Sequence, residues 1–425
     1  MNGPSEGNHP LEPPIRAEMM SVYESAQVLW PDRTISPGRI TVEQDKISAV
    51  ERISQVSASS DSRVTVLGGL VAPGLVDTHV HAGGGGDFAS TDPAMVLRAR
   101  DFHRSRGTTS IIASLVTDTV EVLLAELAVV GELCRTGDFD GIHLETPFLS
   151  EKRCGAHPPA LLRHPDPETV EKLIVAGGEH LSMITIAPEL PGALEAIDRF
   201  VAAGVRVAVG HTAGSVDDAK AALDHGATVA THLFNAMNPI HHREPGPIPV
   251  LLTDERAAVE LICDGVHLAP EVIMMAIDAA GIDRTMLITD AMIAAGLPDG
   301  PYQLGTLTVQ VVAGQARLVN PDGTAGSIAG STLDLASAVR YLTSHTDVTV
   351  AEALHMASAT PARVHGLTHA GRIEAGARAD LVVLDADLSP SRVMAAGTWF
   401  SKGDDPLEPS IRADEHIPTD KGESA

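Results

Sequence analysis

Hydrophobic positions along the chain follow two patterns. From residue 21 to about 70 they come in short runs broken by turn residues: Ser21-Val22-Tyr23 onward, Gly38-Arg39-Ile40-Thr41-Val42 and Lys46-Ile47-Ser48-Ala49-Val50. Runs of this kind mark strands, so a small β unit is expected there. From about residue 71, continuous apolar runs alternate with stretches of helical periodicity. Eight runs read as strands: 71–80, 109–115, 141–145, 183–187, 205–211, 228–233, 259–264 and 285–290. Helices are predicted between most of them, among others at 93–105, 119–134, 167–177, 215–224 and 270–280. Apolar strands alternating with helices indicate a parallel sheet covered on both faces. Eight such units over roughly 300 residues indicate an α/β fold of the (β/α)8 TIM-type barrel class. An open doubly wound sheet is the runner-up, but Gly83-Gly84-Gly85-Gly86 lacks the spacing and the helix of a dinucleotide-binding turn.

The pattern returns to strands at 371–385 and again at 393–400. These late strands are expected to pair with the N-terminal ones. The expected organisation is a tail at 1–20, a small β-sandwich domain from 21–70 and 371–401, a barrel over 71–370, and an acidic tail at 402–425. Both tails are polar and Pro-containing and are expected to be disordered.

Composition narrows the function. The 425 residues, 44% hydrophobic and 20% charged, are those of a soluble globular protein with room for one large and one small domain. No apolar run is long enough to span a membrane, and the N-terminus lacks the basic start and apolar core of a secretory signal. Cys134, Cys154 and Cys263 are too few and too scattered for a disulfide framework, which points to a reducing cytoplasm. A net charge of −26 argues against nucleic acid and anionic membranes as partners. It also requires that any anionic substrate be held by local positive groups against the field of the whole chain.

The candidate chemistry sits at the ends of the predicted barrel strands. His79 and His81 close the run Leu75-Val76-Asp77-Thr78-His79-Val80-His81. Residues two apart on a strand share a face, so both imidazoles converge on one point, as a metal requires. Further strands end in Glu145, His211, His232 and Asp290, at the carboxyl ends where barrel chemistry is placed. Six ligands suit two divalent metals better than one, with Glu145 as the bridge. A carbamylated lysine is the other known bridge, but no lysine ends a barrel strand. Such a site lowers the pKa of bound water toward ~7 and polarises a carbonyl, which suits amide hydrolysis. Asp290 can take the proton from that water and return it to the leaving amine.

The motifs Asp77-Thr78-His79-Val80-His81 and Ala379-Asp380-Leu381-Val382-Val383-Leu384 resemble the amidohydrolase superfamily. Within it, several runs are similar to the N-acetylglucosamine-6-phosphate deacetylase family: 141–149, Gly210-His211-Thr212-Ala213, 231–237, His242-Arg243-Glu244-Pro245-Gly246 and Thr289-Asp290-Ala291-Met292. These motifs keep the family's order, and the likeness covers most of residues 65–400. The resemblance implies hydrolysis of N-acetylglucosamine 6-phosphate to glucosamine 6-phosphate and acetate, in amino-sugar catabolism and cell-wall recycling. It implies metal ligands at Glu145, His211 and His232, with His79 and His81 giving capacity for a second ion. Zinc is the expected metal, with iron, manganese or cobalt as alternatives.

By the same resemblance, Asp290 is the general base and acid, and His157 helps to orient the acetyl carbonyl or sugar. Asn235, Ala236, Arg243 and His267 match phosphate-binding positions, the arginine being supplied across a homodimer interface. Thr146 departs from the pattern, standing where the family usually has glycine directly after the bridging glutamate. His143 reads as a structural residue inside the barrel, and His241 and His242 as loop residues. Cys154 reads either as an exposed loop thiol or as a substrate-adjacent one. The alternatives are the same chemistry on N-acetylgalactosamine 6-phosphate, a cyclic-amide or deaminating amidohydrolase, or a non-enzymatic barrel. The last would be expected to have lost ligands that are all present here.

Overall fold

The computed structural model describes residues 20–57, 63–400, 406 and 407. The expectations of disordered tails at 1–20 and 402–425 fall almost wholly outside the described residues. Eight parallel strands pair in chain order: β1 (Leu75–Val80), β2 (Thr108–Leu115), β3 (Gly141–Leu144), β4 (Leu181–Ile186), β5 (Arg206–Val209), β6 (Val229–Ala230), β7 (Ala258–Ile262) and β8 (Thr285–Ile288). The two ends of this sheet meet through loop and side-chain bonds. The Asp290 amide donates to the His79 carbonyl at 2.9 Å, and the Thr289 hydroxyl donates to the Asp77 carboxylate at 2.6 Å. The result is a nearly closed barrel.

Local sequence explains these elements. All eight residues of β2 are buried, as a strand covered on both faces requires. The helix Ala193–Ala202 buries Ala193, Ala196, Ile197 and Phe200, a stripe at helical spacing that faces the barrel. Asp92, Thr119, Asp166 and Ser215 cap the helices that follow them by accepting from first-turn amides. No described helix is long and apolar enough to cross a membrane.

Strands from the two chain ends form one eight-stranded sheet. Its order is Thr398–Trp399, Pro390–Ala395, Leu381–Leu384, Leu70–Pro73, Ser21–Leu29, Ile35–Glu43 and Lys46–Arg52, with Val64–Val66 also paired to Ser21–Leu29. Its own small core contains Tyr23, Val28, Trp30, Ile40, Val71, Ile373 and Met394.

Three details differ from the sequence expectation. The run 71–80 is two strands, because the chain leaves the end-to-end sheet at Pro73 and enters the barrel at Leu75. Gly74 makes that crossing possible: a Cβ there would lie 2.1 Å from the Thr109 hydroxyl oxygen. Residues 371–380 are not a strand; Ile373, Ala377 and Ala379 pack into the small core from a loop. Finally, a four-stranded antiparallel sheet spans Gly300–Leu304, Leu307–Val312, Gln315–Val319 and Ala325–Ile328 after β8.

Candidate metal centre

Five strand ends deliver the six predicted ligands to a common point, the first strand supplying two. His79 lies in β1 and His81 directly after it; Glu145 follows β3. His211, His232 and Asp290 each stand two residues past β5, β6 and β8. These last three have φ of 46°, 25° and 50°, in the left-handed region that L-residues seldom occupy. The strand ends are therefore bent sharply to aim the side chains inward, and such backbone strain is held by the surrounding structure. All six side chains are buried.

The six form two overlapping groups, His79–His81–Glu145–Asp290 and Glu145–His211–His232, in which the potential ligand atoms lie within 4.8 Å of one another. Glu145 belongs to both. Its Oε1 is 3.1 Å from His211 Nε2 and 2.9 Å from His232 Nε2, while its Oε2 is 3.1 Å from His81 Nε2. Asp290 Oδ1 is 3.1 Å from His81 Nε2 and 3.7 Å from His79 Nε2.

The imidazoles fit divalent cations. His79 Nε2 and His81 Nε2 face each other at 3.2 Å, and His211 Nε2 and His232 Nε2 at 3.0 Å. Behind three of these rings, Nδ1 meets an acceptor. His79 meets Glu260 Oε2 at 2.9 Å, His81 the Ser114 carbonyl at 3.2 Å, and His211 the Arg153 carbonyl at 2.9 Å. A ring that donates from Nδ1 turns a lone pair at Nε2 toward the centre, as a metal ligand must. Four nitrogens and two carboxylates drawn together in this way match the N/O donor set of zinc and related ions.

Electrostatics point the same way. Burial would lower the His79 pKa, but the Glu145 and Glu260 carboxylates raise it well above its ordinary value. Against the same effect of burial, His81 is raised to about 9 by Asp290 and Glu145. Burial would raise Glu145, yet the His79 and His211 charges and the His157 hydrogen bond hold it well below the usual carboxylate range. Asp290, also opposed by burial, is brought down to about 2 by His81 and His79. The cluster draws in positive charge, and protons held at the imidazoles are what a cation displaces on binding.

A cavity of about 440 Å³ opens over these ligands. It is lined by His81, Glu145, His211, His232 and Asp290, and by the predicted His157, Asn235, Ala236 and His267. His157 Nε2 lies 3.5 Å from Glu145 Oε2, and its Nδ1 is 2.8 Å from the Thr117 hydroxyl. Burial lowers His157 to about 4, so its ring is neutral at physiological pH. Arg243 is not brought to this cavity within the chain: it is exposed, bonds His242 Nε2 at 2.7 Å, and lines a separate cleft with Ser215, Asn238 and Glu244. His143 lies inside the barrel beneath His79, its nitrogens bonded to the Ser114 and Thr185 hydroxyls. His241 and His242 are exposed, with their rings in tilted contact. Cys154 is half-buried and lines the cavity, and burial raises its thiol. Thr146 is fully buried, its hydroxyl without a partner among the described residues.

Several residues at the site were not singled out by sequence reasoning. Glu260 of β7 backs His79; its only signal was one acid inside the apolar run Val259-Glu260-Leu261. Asp264 holds His267 Nδ1 at 2.7 Å and, opposing burial, raises its pKa, favouring a charged imidazolium at the cavity wall. Lys152 and Arg153 place two cations on the lining, and Leu304, Ser327 and Ile328 of the inserted sheet close one side. Loop positions of this kind depend on tertiary placement and leave no periodic signal.

Comparison with known proteins agrees with this geometry. A family model described as "Amidohydrolase family" matches residues 70–406. N-acetylgalactosamine-6-phosphate deacetylase of Escherichia coli O157:H7 is 36% identical over 389 residues, covering 90% of this chain and 100% of that protein. N-acetylglucosamine-6-phosphate deacetylase of Danio rerio is 34% identical, covering 88% of this chain and 94% of that protein. Among solved structures, N-acetyl-D-glucosamine-6-phosphate deacetylase from Mycobacterium smegmatis superposes with a TM-score of 0.84 at 43% identity, covering 90% of this chain and 100% of that one.

Proposed function

The chain belongs to the amidohydrolase family, and from that premise we propose that it removes the N-acetyl group of N-acetylglucosamine 6-phosphate, giving glucosamine 6-phosphate and acetate. The observation that carries this reading is one carboxylate, Glu145, shared by two ligand groups on the floor of a cavity whose wall carries His157, Asn235, Ala236 and His267. The relatives are deacetylases of amino-sugar phosphates.

His79, His81, Glu145 and Asp290 would hold one divalent ion, and Glu145, His211 and His232 a second; zinc suits their donors best. Such ions supply Lewis acidity and a water of lowered pKa. Asp290, ionised in its setting, takes the proton of the attacking water and returns it to the departing amine. His157, neutral and anchored at Nδ1 by Thr117, presents Nε2 to the acetyl carbonyl. On the wall, the Asn235 amide, the Ala236 N–H and the His267 imidazolium bind the phosphate. Arg243 adds its guanidinium from the neighbouring subunit of a homodimer, because within its own chain it opens onto a different cleft. The end-to-end sheet, one sheet rather than the two of a sandwich, is read as a small β domain beside a barrel that begins at Leu75, and the enzyme as cytoplasmic.

The Escherichia coli relative favours a second substrate, the galacto epimer, with the same mechanism. Acetate release decides between them. Metal-stripped protein should be inert and regain activity with zinc, and kcat/KM should be higher for the gluco than for the galacto 6-phosphate. The reverse order assigns the epimer instead. Full activity in stripped protein contradicts the metal mechanism.

A further inference from the structure

Glu260 is fully buried in the middle of β7, among Val259, Leu261 and Ile262, which belong to the apolar core. A carboxylate there loses its hydration and persists only where its partners compensate for that loss. One oxygen, Oε2, makes two contacts: it accepts from His79 Nδ1 at 2.9 Å and from the His232 backbone amide at 3.1 Å. The other, Oε1, has no partner among the described residues. Glu260 thus reaches one ligand of each metal group, but in different ways: it touches the ring of His79 and only the backbone of His232.

The backing of the other ligand histidines is different. His81 and His211 rest their Nδ1 on backbone carbonyls, of Ser114 and Arg153, and His232 Nδ1 has no partner among the described residues. A carbonyl comes with the fold, whereas Glu260 is a charged side chain placed at a cost in the core. A carboxylate behind an imidazole fixes the Nδ1–H tautomer, orients the ring and makes Nε2 a stronger donor. Here it does so only for His79, within the first-strand pair.

We propose that Glu260 is a positioning residue that sets the affinity of the His79–His81 ion independently of the Glu145–His211–His232 ion. The proposal rests on the two-ion reading above but not on the substrate. Glu260→Gln keeps the size of the side chain and an oxygen acceptor while removing the charge. Metal-free protein titrated with zinc alone should take two ions per chain in the wild type. In Glu260→Gln the ion of the His79–His81 group should bind roughly 10- to 100-fold less tightly, with the other unchanged. In a His79→Gln background the Glu260→Gln change should have no further effect on zinc affinity. As an independent signature, zinc-loaded wild type labelled at histidine should show a downfield imidazole N–H resonance. It should be missing in His79→Gln and should move upfield in Glu260→Gln.

Two zinc ions with wild-type affinities in Glu260→Gln, or equal weakening of both, would overturn the role of Glu260 alone. A wild type that holds a single zinc would overturn it together with the two-ion reading. Absence of the downfield resonance from the wild type also overturns it, and needs no folded variant. Two zinc ions in a protein that does not act on acylated sugar phosphates would leave this inference standing and reject the substrate.

Discussion

Asp290 combines two demands that are hard to satisfy in one residue. It stands in the left-handed region with φ of 50°, and its carboxylate is buried yet ionised, with the pKa brought to about 2 by the histidines it faces. That combination suits a group that shuttles a proton beside cations. Asp290→Asn should keep the fold and lower kcat by ~10²–10⁴-fold; steady-state acetate release measures it. A kcat within a few-fold of wild type would pass the role to His157. At this scale the sequence was informative wherever the chemistry lay on a strand. His79 and His81 share a face by period, and Glu145, His211, His232 and Asp290 follow apolar runs. Glu260 was not evident, because one acid in an apolar strand does not reveal which interior group it faces. Lys152 was not, and Cys154 was left with two readings, because the path of their loop is fixed by contacts distant in sequence.

At the level of elements, the barrel strands are short and their ends carry the site, so small errors of packing there reach the ligands. Gly210 precedes His211, and a Cβ on it would lie 2.5 Å from Cβ of Thr231, the residue before His232. Neither strand end can yield without moving a ligand. Gly210→Ala should cost about 1–3 kcal/mol of stability through overpacking, and it should also weaken zinc binding. Thermal melting and metal titration report the two separately; an unchanged zinc affinity would show that β5 and β6 adjust without moving their histidines. All eight barrel strands were legible as apolar runs, and the observed bounds differ mainly at their ends. The inserted sheet at 300–328 was not recognised, although Leu307-Thr308-Val309-Gln310-Val311 alternates as a strand should. Its core of Val309, Val311 and Ala316 packs on Met292, Ala294 and Ala329 rather than on the barrel sheet, and a hairpin unit of this kind breaks the strand–helix rhythm that identified the rest.

Across the whole molecule, one partly buried ionic cluster ties the barrel to the segment returning to the end-to-end sheet. Asp140, just before β3, accepts from His369 Nε2 at 2.7 Å and from Arg378 Nη1 at 3.2 Å, and Arg378 Nε reaches Asp380 at 2.6 Å. Arg378→Ala would leave both carboxylates short of their counter-charge and should destabilise the protein by about 3–5 kcal/mol, read from denaturant unfolding. Burial would raise Asp140, but His369 and Arg378 lower it. Its contribution to stability is therefore present above the unfolded value near ~3.9 and lost as pH falls through the lower folded value. Asp380 is raised by burial and has the opposite slope, so it offsets part of that loss.

Subunit arrangement has its own test. If Arg243 completes the site of a neighbour, mixing inactive Arg243→Ala with inactive Asp290→Asn should restore activity, since a hybrid dimer holds one intact site. No recovery would return Arg243 to its own chain.

The central claim is that this metal centre serves a phosphorylated substrate. The chain carries a net charge of −26, so a phosphate gains nothing from long-range attraction and depends on local donors. A charge-assisted buried contact typically counts for ~2–5 kcal/mol when one partner is removed, which is roughly 30- to 4,000-fold in kcat/KM. The direct measurement is therefore kcat/KM of the zinc-loaded wild type for N-acetylglucosamine with and without the 6-phosphate. A preference for the phosphorylated sugar within that range is expected; equal values would contradict the account and assign the centre to another acyl-amine.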